Sequence, residues 1–191
     1  QRRLRALGRV VAEEGKLEDV SLKLRGWVRS LAFSAVGDRV LQGQILFQIY
    51  GPELEAAQQE YLQALRAAER ARGSAAPERA DALVRAARQR LLRWDIASSD
   101  LDALAARGEL RAELPIRSPV SGFVVEKQVA VGSSFEPGAR LLRIAPLGRV
   151  WVEAAIYEAD LPDVAVGQSA HVELAHLHGE PFEARVQWIY P

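Results

Sequence analysis

The 191-residue sequence contains no cysteine and no methionine. The absence of cysteine excludes disulfides, thiolate nucleophiles and cysteine-ligated zinc or iron–sulfur sites. It leaves the redox compartment open, because an exported protein need not contain disulfides. The absence of methionine, even at position 1, indicates a processed or truncated piece of a longer protein.

Neither sign of charge is in excess, since there are 25 basic and 25 acidic residues. A neutral chain lacks the basic surface typical of nucleic-acid binding, so we expect no nucleic-acid partner. Apolar residues make up 49% of the chain, enough for a packed core. No apolar run approaches the roughly 18 residues of a membrane span. The beginning, QRRLRALGRVV, lacks the apolar segment of a signal peptide, so we expect any anchoring segment outside this chain.

One glycine-punctuated pattern occurs twice, in residues 26–49 and 122–144. The aligned glycines are Gly26, Gly37 and Gly43 in the first copy and Gly122, Gly132 and Gly138 in the second. Apolar and polar residues tend to alternate between them, which predicts short β-strands and tight turns. We predict that Gly37, Gly43, Gly132 and Gly138 supply turn conformations that a β-carbon would strain. Chance similarity between two β segments is the alternative interpretation.

Each copy is too small to bury both faces of a sheet by itself. Two copies packed face to face can do so. The duplication therefore predicts two halves of one β-sandwich.

The intervening residues 51–110 differ in character and predict helices. PELEAAQQEYLQALRAAERAR consists almost entirely of good helix formers, and Pro52 suits a first helical turn. GSAAP interrupts this helix, and Pro77 begins a second one. Its predicted apolar stripe consists of Ala80, Leu83 (with Val84), Ala87, Leu91 and Trp94. The pattern indicates a helical hairpin whose first arm is about 30 Å long.

A short third helix is predicted after the hairpin. Ser99 and Asp102 have the spacing of a capping box, and Gly108 is a natural stop. Residues 150–191 return to alternating strand patterns. The predicted class is therefore α+β, with a split sandwich, an inserted helical hairpin and flanking strands.

No catalytic motif is present: the chain has no G-x-S-x-G and no H-E-x-x-H, and we expect no enzymatic activity. The three histidines, His171, His176 and His178, lie close together in sequence. Imidazole suits divalent transition metals, so these residues are candidate ligands for a transient heavy-metal ion. The alternative is that they are ordinary polar residues of a hairpin loop. No other cofactor is expected.

The nested layout resembles the periplasmic adaptor family, also called membrane fusion proteins. GPELEAAQQEYLQA resembles the SPEL-x-x-AQ-x-EYL start of the hairpin in the heavy-metal, CusB-like branch. LPIRSPVSGFVVEKQVAVGSSFEPGARLLRI resembles the second lipoyl-like half in that branch, and WDIASSDLDALAARGE its short extra helical segment. The resemblance runs from about Gly8 to Pro191.

The resemblance implies five segments. They are residues 1–20 as the first part of a β-barrel, 21–50 as the first lipoyl-like half, 51–110 as the hairpin, 111–146 as the second half and 147–191 as an incomplete barrel. It also implies an adaptor in the periplasm of a Gram-negative bacterium, anchored to the inner membrane. Such a protein joins an inner-membrane transporter of the resistance-nodulation-division type to an outer-membrane channel. It self-associates into a ring of three or six copies.

The hairpin tip is the part that the family presents to the channel. The resemblance assigns this role to Arg72, Ser74, Glu78 and Arg79; the alternative is a plain polar loop. The methionines with which copper and silver adaptors bind their ion are absent, so metal specificity is not carried over.

Three other functions remain open from the sequence. One is a metallochaperone-like protein that delivers ions to the transporter, and another is an adaptor of a drug-efflux or type I secretion system. The third is a lipoyl or biotinyl carrier domain. A carrier needs a lysine at the turn between its halves, and residues 51–110 contain none.

Overall fold

A computed structural model describes residues 4–72, 77–175 and 181–190. It divides into two compact units, residues 12–150 and residues 1–11 with 151–191. The strands in the described ranges are β1 (Gly8–Ala12), β2 (Glu18–Ser21), β3 (Gly26–Leu31), β4 (Arg39–Val40), β5 (Ile45–Tyr50), β6 (Leu114–Arg117), β7 (Gly122–Lys127), β8 (Ser134–Phe135), β9 (Arg140–Ala145), β10 (Val150–Ala154), β11 (Ser169–Val172) and β12 (Phe182–Arg185). The helices are α1 (Pro52–Ala71), α2 (Pro77–Arg93) and α3 (Ser98–Arg107).

The larger unit is built on two four-stranded antiparallel sheets, ordered β2-β9-β7-β4 and β6-β5-β3-β8. The segment before the helical arm supplies β2 to β5, of which β3 to β5 belong to the first sequence copy, and the segment after the arm supplies β6 to β9, of which β7 to β9 belong to the second. Each sheet therefore takes two strands from each segment. Because neither copy completes a sheet alone, the two halves have to assemble together.

Equivalent positions of the two copies make equivalent contacts. The amide of Gly37 donates to the carbonyl of Val124 at 2.8 Å, and that of Gly132 donates to Val28 at 2.7 Å. The pairing of β3 with β5 is irregular after Val28, and the pairing of β7 with β9 is irregular after Val124. This exchange of hydrogen bonds between halves supports a duplication rather than chance similarity.

The sandwich core consists of the inward-facing residues of both sheets. In β3, buried Gly26 and Val28 alternate with exposed Trp27 and Arg29, as a half-buried strand requires. The fully buried core side chains of the two copies include Val28, Val40, Leu46, Phe47, Ile49, Val124, Leu142 and Ile144. The predicted split sandwich is confirmed.

The helical arm packs α1 against α2. Leu54, Tyr61 and Leu62 of α1 are buried, as are Ala87 and Leu91 of α2. The predicted stripe is wrong at one residue, because Leu83 is 62% exposed while Val84 is half-buried. Ala80, Val84, Ala87 and Leu91 are spaced by four, three and four residues, so they form the seam and Leu83 turns to solvent.

The short helix α3 exists, but its start differs from the prediction. Its N-cap is Ala97, without a side-chain capping bond, so the capping box predicted for Ser99 and Asp102 is wrong. α3 already begins at Ser98, so Ser99 lies inside the helix and cannot cap it. Arg88 of α2 donates to Ser98 Oγ at 2.7 Å and to Asp102 Oδ1 at 2.8 Å. The stop at Gly108 is confirmed by its left-handed backbone, with φ of 68°.

The smaller unit contains two two-stranded sheets, β1 with β10 and β11 with β12. Its boundaries differ from the predicted segments 1–20 and 147–191. Residues 12–20 lie in the larger unit, because β2 pairs with β9 over Glu18–Ser21. No helix in the described ranges combines the length and apolar character that a bilayer span requires.

Candidate functional site: the helical arm and its base

The predicted tip residues lie where α1 ends and α2 begins. Arg72 directly follows α1, Glu78 and Arg79 lie in the first turn of α2, and all three are exposed. Ser74 lies outside the described residues. The fold therefore brings three charged side chains to one end of the arm, where a partner has access to them.

The seam between α1 and α2 weakens toward this end. Near the sandwich it is formed by fully buried leucine and tyrosine side chains. Toward the tip it consists of small residues that are only half-buried, namely Ala67, Ala68, Ala71, Ala80 and Val84. Buried apolar area sets the stability of a helix pair, so the distal half of the arm is held less firmly.

The base of α1 is tied to the segment that follows α3. Gln58 is only 1% exposed, and its side-chain amide donates to the carbonyl of Arg111 at 3.0 Å. The amide of Arg111 donates back to Gln58 Oε1 at 3.1 Å. This reciprocal pair satisfies a buried polar side chain and fixes the second turn of α1.

An ion pair between a buried carboxylate and a half-buried guanidinium joins α3 to the sandwich. Asp100 is 4% exposed and accepts two hydrogen bonds of 2.8 Å from Nε and Nη2 of Arg117 in β6. Arg117 Nη1 also donates to the carbonyl of Gly43 at 3.0 Å. The hydrogen bond to Asp100 raises the pKa of Arg117 above its ordinary value, against the opposing effect of burial. We call this arrangement of Asp100, Arg117 and the Gly43 carbonyl the clasp.

Two exposed ion pairs also join the helical segment to residues just before β3. Lys23 Nζ is 3.1 Å from Asp95 Oδ1, and Arg25 Nε is 3.4 Å from Glu53 Oε1. Asp95 follows α2 with φ of 64°, and the amide of Ile96 reaches back to the carbonyl of Leu91 in the manner of a Schellman motif. Exposed pairs of this kind contribute little stability, so the clasp and Gln58 are the firmer attachments.

The glycines predicted to lie in turns all have positive φ. The values are 101° for Gly37, 79° for Gly43, 83° for Gly132 and 81° for Gly138. Beside the first of them, the carboxylate of Asp38 accepts the amides of Ser34 at 2.8 Å and Ala35 at 3.1 Å. These bonds, that from Ala35 most of all, lower the pKa of Asp38.

The outward faces of the two sheets carry different chemistry. On the β2-β9-β7 face, Arg143 forms two hydrogen bonds with Asp19 and one with Glu126, and Arg140 lies 3.3 Å from Glu126. The bond from Arg143 is the main cause that lowers the pKa of Asp19. On the β5-β3 face, Trp27 stacks on Tyr50 with ring centroids 5.8 Å apart. The same face of β3 also carries exposed Arg29, which pairs with Glu113 at 3.0 Å. One sheet thus presents a network of charges, and the other a stacked aromatic pair beside a single ion pair.

The structure describes one of the three histidines predicted as metal ligands. His171 is an exposed residue of β11 paired with Glu183, while His176 and His178 lie outside the described residues. Within the described ranges, no three acidic or histidine side chains lie close enough to hold a metal ion. Metal binding by this cluster stays a prediction, which calorimetric titration of zinc into wild type and a His176→Ala/His178→Ala variant would test.

A sandwich made of two interleaved halves, with a helical arm inserted between them, is the architecture of a barrel-sandwich hybrid. The family model for the CusB barrel-sandwich hybrid domain matches residues 17–145, and the model for the CusB-like β-barrel domain matches residues 149–191. The chain belongs to the CusB-like family of membrane fusion proteins.

Individual relatives cover different parts of the chain. The nickel-cobalt-cadmium resistance protein NccB of Alcaligenes xylosoxydans xylosoxydans is 29% identical over 82% of this chain and 42% of its own length. The probable multidrug resistance protein EmrK of Escherichia coli is 38% identical over 39% of this chain and 19% of its own length. The crystal structure of ZneB from Cupriavidus metallidurans has a TM-score of 0.57 and 28% identity, covering 95% of this chain and 81% of that one. The chain spans less than half the length of the curated relatives it matches.

Proposed function

We propose that this chain is part of a non-enzymatic periplasmic adaptor that joins an inner-membrane transporter of the resistance-nodulation-division type to an outer-membrane channel. The observation that carries the proposal is the position of the arm. α1 leaves the sandwich directly after β5, at the turn between the two halves, where a carrier domain would hold its lysine. The arm there offers reach and exposed charge in place of a cofactor.

The adaptor role needs the two ends of the molecule to contact different partners. The tip, with Arg72, Glu78 and Arg79, faces the channel in this proposal. The sandwich and the strand-rich unit associate with further copies in a ring around the transporter, in the periplasm and beside the inner membrane. The unlike outward faces of the two sheets suit head-to-tail association, because such a contact joins two different surfaces.

Heavy-metal cations are the proposed substrate class. The relatives matched over most of this chain include a nickel-cobalt-cadmium resistance protein, whereas the multidrug relative is matched over 39% of it. The proposal therefore favours a metal pump over a drug pump.

The test uses the full-length protein in a strain from which its gene has been deleted. We expect the wild type to restore growth on nickel, cobalt, cadmium or zinc, and to cross-link to the channel through the arm. Restored growth on drugs but on none of these metals would contradict the substrate class, and failure on both would contradict the adaptor role.

Charge reversal at the tip tests the arm itself. We expect Arg72→Asp/Arg79→Asp to abolish cross-linking to the channel and to lower metal resistance. Arg107→Asp is the matched control, because Arg107 is also exposed but lies at the end of α3, near the base. Equal behaviour of the tip variant and the wild type would show that these arginines do not contact the channel.

A further inference from the structure

The connection between the sandwich and the first arm helix is a single residue. Gly51 separates β5 from α1, and its backbone is extended, with φ of 173° and ψ of 154°. Rotation about the two dihedrals of such a residue moves the whole following helix, so the connection by itself acts as a hinge. The direction of the arm therefore has to be set by contacts elsewhere.

The clasp is one contact that can set the direction of the arm, and it lies at the C-terminal end of the helical segment, opposite Gly51. α3 contacts α2, and its buried Leu101 and Leu104 belong to a core cluster that contains Leu91 of α2 as well as sandwich residues such as Leu114. On α3, Asp100 is buried and bound by the two parallel hydrogen bonds from Arg117. A bidentate guanidinium–carboxylate pair fixes orientation as well as distance.

The third hydrogen bond of Arg117 connects α3 to the strand from which α1 leaves. Arg117 Nη1 binds the carbonyl of Gly43, and the amide of Gly43 binds the carbonyl of Ser118 beside it. Gly43 lies two residues before β5, which also pairs with β6 at Arg117. β5, α1, α2, α3 and the clasp thus form a closed circuit of attachments around the Gly51 hinge.

A buried ion pair is a weak source of net stability, because desolvation offsets its Coulombic attraction, but it can specify one geometry. We propose that Asp100 and Arg117 are positioning residues that fix the direction of the helical arm relative to the sandwich. Without the clasp, the core cluster that the arm helices share with the sandwich still joins them, while the angle between them varies more widely about Gly51.

The cysteine-free sequence permits a direct measurement of this angle. Arg85 in α2 and Lys127 at the end of β7 are exposed. Cysteines introduced there carry the two spin labels, once any cysteine outside these 191 residues has been replaced by serine. Pulsed electron paramagnetic resonance on the full-length protein then gives the distribution of distances between arm and sandwich. We expect one narrow peak for the labelled parent.

Two variants break the clasp in different ways, and a third is the control. Asp100→Asn removes the buried charge, and Arg117→Lys keeps the positive charge but loses the two-pronged geometry. Both should broaden the distribution and add populations at other distances. Asp102→Asn changes another α3 carboxylate, whose partner Arg88 lies in α2 rather than in the sandwich, and should leave the peak unchanged.

Amide exchange of β7 and β9 checks that the sandwich stays folded in each variant. An unchanged narrow peak in both clasp variants would overturn the proposal. Loss of the sandwich in both would also overturn it, since the pair would then support the core and not the direction of the arm. The measurement needs no transporter or channel, so its outcome is independent of the adaptor role.

Discussion

Gly26 and Gly122 occupy equivalent positions in the two halves of the sandwich, and each faces a backbone carbonyl. A β-carbon placed on Gly26 would lie 2.8 Å from the oxygen of Tyr50, and one on Gly122 would lie 2.5 Å from the oxygen of Ala145. Tyr50 and Ala145 end the equivalent strands β5 and β9. Glycine is therefore required at these two positions because the two backbones approach too closely to leave room for a β-carbon.

We predict that Gly26→Ala and Gly122→Ala each lower the free energy of unfolding by about 1–3 kcal/mol, the usual cost of forcing an atom into a packed site. Gly122→Ala should cost more, because its β-carbon would lie within 2.8 Å of two backbone atoms of Ala145, the nearer at 2.5 Å, whereas at Gly26 the second contact is the side chain of Phe135, which gives way more easily. Urea denaturation followed by circular dichroism measures the effect. Gly15→Ala is the control, since its β-carbon would meet nothing within 4 Å; equal midpoints for all three variants would contradict the prediction.

Two leucines of α2 provide a matched pair for testing the seam of the arm. Leu91 is fully buried, whereas Leu83 is 62% exposed. Leu91→Ala should destabilise the arm by about 2–5 kcal/mol, because it leaves a cavity. Leu83→Ala should change stability by less than about 0.5 kcal/mol, as substitutions at exposed positions usually do. Urea titration of the circular dichroism signal at 222 nm measures both losses. Comparable losses in the two variants would place Leu83 in the seam.

The uneven seam predicts uneven exchange of amide hydrogens along the arm. Amides near Ala68 and Val84 should exchange faster than those near Tyr61 and Leu91, because local opening is easier where less apolar surface is buried. Hydrogen exchange measured by mass spectrometry on peptides from each half of α1 and α2 tests this. Ala68→Leu should slow exchange in the distal half only; uniform protection along the wild-type arm would argue against a weak tip.

The parts of the fold that the sequence predicted are those governed by local pattern. The turns could be predicted from four glycines, because a turn depends on backbone conformation alone: Gly37, Gly43, Gly132 and Gly138. Runs of helix formers predicted α1 and α2. The error at Leu83 shows the limit of this reasoning. Leu83 and Val84 are adjacent and both apolar, and only the position of α1 decides which one is buried.

Contacts between side chains that are distant in sequence could not be predicted from local sequence patterns. Gln58 and Arg111 are separated by 53 positions, and Asp100 and Arg117 by 17. The signal was faint: Asp100 is a charged residue near the start of a short, apolar helix, and its burial depends on where β6 places a guanidinium. The exchange of strands between the two halves was likewise invisible, because each half reads as a plausible sheet by itself.

The Asp38 turn predicts an acid-sensitive contribution to stability. Its pKa is lowered in the folded protein from an ordinary value of 3.8 by the amides of Ala35 and Ser34. The unfolded state therefore binds the proton more readily, so the contribution is complete above the unfolded pKa and is lost as the pH falls through the folded one. Asp38→Asn removes the titrating group but keeps an oxygen acceptor.

We therefore expect wild type to be more stable than Asp38→Asn at pH 7 and the difference to shrink below about pH 4. Urea denaturation of both proteins from pH 7 to pH 2.5 measures it, and the other carboxylates cancel in the comparison. Asp102→Asn is a control for loss of one exposed carboxylate, since no turn amide is bound there among the described contacts. A difference between wild type and Asp38→Asn that stays constant with pH would show that the amides bind the neutral and charged acid equally well.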